Sequence, residues 1–159
     1  MNKVYVESEV LLGRSGHEAG RQLLARMYRE ITGENCPEIA IAPRGKPYFV
    51  DGPWHFSISH TKNHVFCVLS TRPVGLDAEE MDREINLRLA EKILSVPERI
   101  RFDAASDKRA ALLKLWVLKE AAVKLTGEGL HGYPNGTDFS PDDPRVKETD
   151  GCYVAVLEG

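Results

Sequence analysis

Residues 107–127 read DKRAALLKLWVLKEAAVKLTG, and their reading decides the fold class. Asp107 is a helix-capping type, Ala110–Leu115 and Ala121–Leu125 are strong helix formers, and Gly127 is the residue type at which helices stop. The pattern predicts one long helix from Asp107 to about Thr126. Within it, Trp116, Glu120 and Lys124 fall at i, i+4 and i+8 and share one side, with Val123 beside Glu120. An ordinary solvated Glu–Lys pair at this spacing adds only about 0.2–0.5 kcal/mol. The apolar residues around this pair argue for more than that.

Upstream, Val74-Gly-Leu-Asp-Ala-Glu79 reads as a strand whose alternation sends Asp77 and Glu79 to one face and Leu76 and Ala78 to the other. If this strand packs on the long helix, Asp77, Glu79 and Glu120 converge. Their mutual repulsion then calls for a cation. An oxygen-only set suits Mg²⁺, which keeps several waters and bridges to substrate phosphates. A solvent-facing edge with alternating acids remains the other reading of the same spacing.

Between these elements the sequence predicts a helix near residues 84–94 and a capping box, Ser95-Val-Pro-Glu98, opening a short helix through Phe102. Towards the N-terminus, residues 3–12 read as a strand. Ser15-Gly-His-Glu18 caps a helix running to about Thr32, stopped by Gly33. Ile39–Ala42, Tyr48–Val50, His55–Ser59 and Val65–Ser70 read as strands of one meander, Gly129–Lys147 as loop, and Cys152–Leu157 as a closing strand.

Composition bounds the rest. A chain of 159 residues, 42% hydrophobic and without an evident linker, is long enough to bury about two-thirds of its unfolded surface as one unit. A net charge of −3 from 21 basic and 24 acidic residues gives no general affinity for nucleic acid or anionic membrane. Cys36, Cys67 and Cys152 are odd in number and lack CxxC spacing, which fits a reducing cytoplasm better than a disulfide framework. No secretory leader is expected from the first residues, and no stretch approaches the roughly 20 apolar residues of a membrane span.

Weaker motifs remain. His55, His60 and His64 match no usual zinc spacing, and Ser59 and His60, adjacent on a strand, point apart rather than forming a nucleophile pair. His60 is instead a candidate anion ligand or a member of a polar network. Arg44-Gly-Lys-Pro47 lacks the full phosphate-loop spacing, which argues against an ATPase while keeping Lys46 as a phosphate candidate.

Taken in order, Arg44-Gly-Lys-Pro47, His55-Phe-Ser-Ile-Ser-His-Thr61, Val74-Gly-Leu-Asp-Ala-Glu79 and Trp116-Val-Leu-Lys-Glu-Ala-Ala-Val-Lys124 resemble the motif series of the surfactin-type 4′-phosphopantetheinyl transferases. Gly127-Glu-Gly-Leu130 extends the likeness, which covers residues 44–130. The resemblance implies an α+β fold with a pseudo-two-fold arrangement of two small halves, here shortened. Residues 1–159 would form one domain with halves near 1–72 and 73–159.

The resemblance also implies transfer of the 4′-phosphopantetheine arm of coenzyme A to a serine of an apo acyl- or peptidyl-carrier protein, with Mg²⁺ as cofactor. Asp77, Glu79 and Glu120 would bind the metal. Glu120 and Lys124 would be catalytic, and Lys46, Ser59, His60, Lys119 and Lys124 would contact coenzyme A. Arg14 and Arg21 are candidates for its 3′-phosphate, and Lys108, Arg109 and Lys114 for steering an acidic carrier. A cytoplasmic monomer is expected, with self-association as the other arrangement. A non-catalytic binding module for coenzyme A or the carrier, and a metal-dependent phosphohydrolase, are the competing functions.

Overall fold

The computed structural model describes residues 1–127 and 137–159. The expected Gly127-Glu-Gly-Leu130 motif and the start of the expected loop thus lie partly outside the described residues. Along the chain the elements are β1 (Val4–Val10), α1 (Gly16–Thr32), β2 (Ile39–Ile41), β3 (Pro47–Phe49), β4 (His55–His60), β5 (His64–Ser70) and β6 (Val74–Glu80). These are followed by α2 (Ala90–Ile93), α3 (Val96–Ala104), α4 (Lys108–Thr126), β7 (Val146–Thr149) and β8 (Cys152–Glu158).

The first half lays α1 on an antiparallel sheet of order β1-β5-β4. Ser15 Oγ accepts from the Glu18 amide, and Gly33, at φ 77°, ends the helix by donating to Arg29 O. These caps satisfy backbone groups that the helix leaves orphaned. The helix buries Leu23, Leu24 and Met27 against Val65, Cys67 and Leu69 of β5. The expected meander is split: β2 and β3 pair only with each other, and β5 lies between β1 and β4.

The second half repeats the plan. A sheet of order β6-β8-β7 is covered by α4, so each half threads strand, helix, strand, strand and orders its strands first, last, penultimate. This is the expected α+β pseudo-two-fold. Asp107 accepts from the Ala110 amide, Gly127 closes α4 at φ 74°, and Leu112, Leu113, Leu115 and Leu118 are fully buried. Burying each such side chain contributes about 1.5–3 kcal/mol.

Two local expectations differ from the outcome. The helix near 84–94 shrinks to a 3₁₀ turn at Leu87–Leu89 and the four residues of α2, because Asn86 caps only at that point and Leu94 is already extended. The expected loop ends two residues into β7, a strand that was not expected; its polar residues (Val146-Lys-Glu-Thr149) hide its strand character because it is an exposed edge strand. At α3 the capping box forms as read, and its Glu98 is fully buried.

The halves meet along β4 and β6. These strands share no ladder; instead Ser57 Oγ accepts from the Leu76 amide at 3.0 Å and Ser59 Oγ from the Ala78 amide at 3.2 Å. Phe66 and Val68 pack with Val74, Leu76, Ala78 and Val154 behind this seam. No helix among the described residues is long and apolar enough to cross a membrane.

α4 reaches β6 where Gly75 leaves room: a Cβ there would drive into Ala121 O and the backbone of Leu125. Neither obstacle is a flexible side-chain tip. Gly75→Ala is therefore expected to destabilise by about 1–3 kcal/mol or more. That corresponds to a fall in Tm of roughly 2–4 °C per kcal/mol, measurable by thermal unfolding. An unchanged Tm would show that α4 can shift away freely.

Candidate active site

Odd-numbered β6 positions face α4, as the packing of Gly75 requires, so strand alternation aims Asp77 and Glu79 at the helix. From α4, Glu120 and Lys124 stand one turn apart on the same side. Lys124 Nζ donates to Asp77 Oδ1 at 2.9 Å and to Ile58 O at 3.4 Å. Ser59 Oγ also donates to Asp77 Oδ1, at 3.1 Å, so the hydroxyl that bridges the seam also orients the carboxylate.

Glu79 is held by Arg83, four residues on. Two buried carboxylate oxygens, Asp77 Oδ2 and Glu120 Oε1, have no hydrogen-bond partner among the described residues. Unpartnered buried oxygens are unfavourable by roughly 1–3 kcal/mol or more each unless something fills the gap between them. An oxygen-only set with orphaned lone pairs fits a hard divalent cation. The three carboxylates are not among the described groups whose ligand atoms all lie within 4.8 Å of one another, so a cation shared by all three would pull them closer.

The electrostatics agree with convergence. Burial pushes the Asp77 carboxyl above its ordinary range, against the pull of Lys124 and Ser59. Burial likewise raises Glu120, with the charges of Asp77 and Glu79 adding to it. Glu79 is raised by burial and by Asp77, with Arg83 opposing. Glu79 and Glu120 thus each feel the charge of Asp77, as expected of like charges sharing a site.

Beside the cluster opens a cavity of about 250 Å³, walled by Arg44, Gly45, Lys46, Ile58, Val123 and Lys124. Lys46 lies along Gly127 and donates to Leu125 O at 2.8 Å, capping the end of α4; burial lowers its pKa. Two ammonium groups from opposite halves therefore flank one cavity.

Other candidate residues lie elsewhere. His60 sits on the opposite face of β4 from Ser59, over Gly16 at the start of α1. Lys119 is buried and donates to Glu98 Oε1 at 2.7 Å, while Glu98 Oε2 accepts from the Phe139 amide at 2.9 Å. Arg14 closes the β1–α1 loop on Val10 O, Leu11 O, Glu9 and Gln22; Arg21 lies half-buried on α1. Lys108 donates to the carbonyls of Phe102, Asp103 and Ala105, Arg109 to those of Met81 and Arg83, and Lys114 lies over the Tyr153 ring.

Sequence reasoning missed Arg83 and Glu98 as partners of Glu79 and Lys119. The i+4 spacing from Glu79 was a signal for the first. For the second there was none, since Lys119 and Glu98 lie on different helices, 21 residues apart.

Comparison with known proteins gives a consistent outcome. The family model of the 4′-phosphopantetheinyl transferase superfamily matches residues 73–152. The chain is 37% identical over 116 residues to 4′-phosphopantetheinyl transferase gsp of Aneurinibacillus migulanus, covering 69% of this chain and 48% of that protein. It is 31% identical over 124 residues to 4′-phosphopantetheinyl transferase psf-1 of Bacillus pumilus, covering 77% and 49% respectively. With 4′-phosphopantetheinyl transferase Sfp of Bacillus subtilis, the identity is 36% over 90 residues, covering 54% and 39%. The chain spans about half the length of the curated relatives it matches.

Two outcomes are expected. Lys119→Met leaves Glu98 buried without its ammonium partner and loses about 3–5 kcal/mol in urea unfolding. A lysine serving only a ligand would leave stability unchanged. Secondly, a carboxyl whose folded pKa is raised favours the fold below the ordinary carboxylate range near about 4 and loses that contribution as pH rises through the raised value. In chelating buffer, Glu120→Gln is therefore expected to gain stability over the parent as pH rises. Saturating divalent cation should close the gap, and a pH-independent gap would remove the case for repulsion at Glu120.

Proposed function

The chain belongs to the 4′-phosphopantetheinyl transferase superfamily, and we propose that it transfers the 4′-phosphopantetheine arm of coenzyme A to a serine of an acyl- or peptidyl-carrier protein, releasing 3′,5′-ADP. One observation carries this reading. Three carboxylates, two of them with orphaned oxygens, share one electrostatic field with Lys124, which bonds Asp77 and lines a cavity that Lys46 lines from the other half. Anionic substrate and cation are needed together there. Residues 1–159 act as one catalytic unit in this reading, with the cavity between its two halves.

Asp77, Glu79 and Glu120 are the side chains that hold Mg²⁺. When bound, the ion neutralises pyrophosphate charge and acts as a Lewis acid on the phosphoryl oxygens. The protein's own groups do the rest. Lys46 and Lys124 bind the pyrophosphate, and Gly45 lets backbone approach it closely. Ser59 acts through Asp77, whose carboxylate it orients, and Lys119 acts by fixing α4 to α3 through Glu98.

The serine oxygen forms a bond to the β-phosphorus of coenzyme A as the bridging P–O bond breaks. The serine proton passes to a Glu120 oxygen. Lys124 leaves Asp77 and donates to the departing phosphate oxygen of 3′,5′-ADP. Transfer of one proton and exchange of one P–O bond for another balance the step.

The test is intact-mass spectrometry of a panel of apo carrier proteins incubated with the protein, coenzyme A and Mg²⁺. A gain of one phosphopantetheine arm is expected, absent in chelator and slowed about 10²–10⁴-fold by Glu120→Gln. Coenzyme A binding without any gain would establish a non-catalytic binding module instead. Release of 3′,5′-ADP without carrier modification would establish a phosphohydrolase.

A further inference from the structure

On β6 the residue after Glu79 points the other way. Glu80 turns towards β5 and β8, where His64 opens one strand and Cys152 the other. His64 Nδ1 lies 3.4 Å from Glu80 Oε1, Cys152 Sγ lies 2.9 Å from Glu80 Oε2, and Sγ and Nδ1 are 3.9 Å apart. His64 precedes Glu80 by 16 positions and Cys152 follows it by 72, so no sequence spacing announces the group. Cys152 is fully buried, and the His64 and Glu80 side chains are 19% and 13% exposed.

We propose that His64 Nδ1, Glu80 and Cys152 Sγ form a site for a thiophilic divalent cation of the zinc class, separate from the carboxylate cluster on the opposite face of β6. Nitrogen, sulfur and one carboxylate are the donor set that zinc prefers and Mg²⁺ does not. Zinc bonds of about 2.0–2.3 Å in tetrahedral array place neighbouring ligands roughly 3.3–3.6 Å apart. The imidazole–carboxylate and imidazole–thiol separations are close to that range. The short thiol–carboxylate contact is a hydrogen bond, and it widens when a cation takes the proton's place.

The surroundings complete the site. Thr61 Oγ1 and Asn63 Nδ2 donate to Glu80 Oε1 at 3.2 and 3.0 Å, fixing the carboxylate as outer partners fix metal ligands. A cleft of about 510 Å³, lined by Lys62, Asn63, Glu79, Glu80, Arg83 and Glu84, opens beside it as an entry path. Three protein ligands leave a fourth position for water. Binding breaks the Cys152 S–H bond, forms a sulfur–metal bond and releases one proton to solvent, with no change of oxidation state. Because the ligands come from β5 in one sheet and from β6 and β8 in the other, the ion pins the two sheets together.

Cobalt titration tests this in the intact chain, with saturating Mg²⁺ present to occupy oxygen-only sites. A near-ultraviolet sulfur-to-cobalt charge-transfer band is expected, saturating at one ion per chain, reversed by Zn²⁺ and retained in Cys36→Ser. Cys152→Ser should abolish it. His64→Gln should weaken Zn²⁺ binding by more than the roughly 10–100-fold attached to losing a mere supporting hydrogen bond. Absence of the band in the parent protein, or its persistence in Cys152→Ser, overturns the proposal. Should Cys152→Ser fail to fold, the parent spectrum and the His64→Gln affinity decide alone.

Discussion

The contact that governs this molecule is the approach of α4 to β6 across Gly75. Helices and strands normally keep a side-chain layer between their backbones, and here one residue without a Cβ removes it. The helix comes close enough for Lys124 to reach both Asp77 and the Ile58 carbonyl, and for Glu120 to share the electrostatic field of Asp77 and Glu79. Substituting a larger residue would change every one of these relationships together, because all are carried by the same pair of rigid elements.

The arrangement is frustrated by the usual standards of stability. Two buried carboxylate oxygens lack partners among the described residues, and burial together with like charge raises the proton affinity of the acids around them. The fold tolerates this because the rest of α4 is strongly held. Four fully buried leucines anchor it, and the Lys119–Glu98 pair ties it to α3. A buried ion pair is weak evidence for net stability, yet it fixes register well. Here it lies one residue from Glu120, which makes it a natural support for the site.

Much of this was legible in advance. Periodicity and caps located α1 and α4 within a residue or two, and strand alternation placed Asp77 and Glu79 on one face, because these signals are local. The failures were non-local. Whether Ile39–Ile41 joins the main sheet depends on which backbone edge is free, and β7 carries polar residues because it is an edge. Lys119 reads as a neighbour of Glu120 in sequence, but adjacent helix positions point about a quarter-turn apart, and its partner lies on another helix. His64, Glu80 and Cys152 meet only because three strands end at the same place.

The serine seam has a consequence for the site. Within each sheet, neighbouring strands are locked by backbone ladders, whereas Ser57 and Ser59 join β4 to β6 through their hydroxyls, which accept from backbone amides. The seam is therefore held by side chains and by the buried apolar cluster behind it, where each sheet is held by backbone. Asp77 is tethered to it through Ser59. The seam and the acid cluster are therefore not independent: Ser59 belongs to both, and Asp77 is held at once by a hydroxyl from one half and an ammonium from the other.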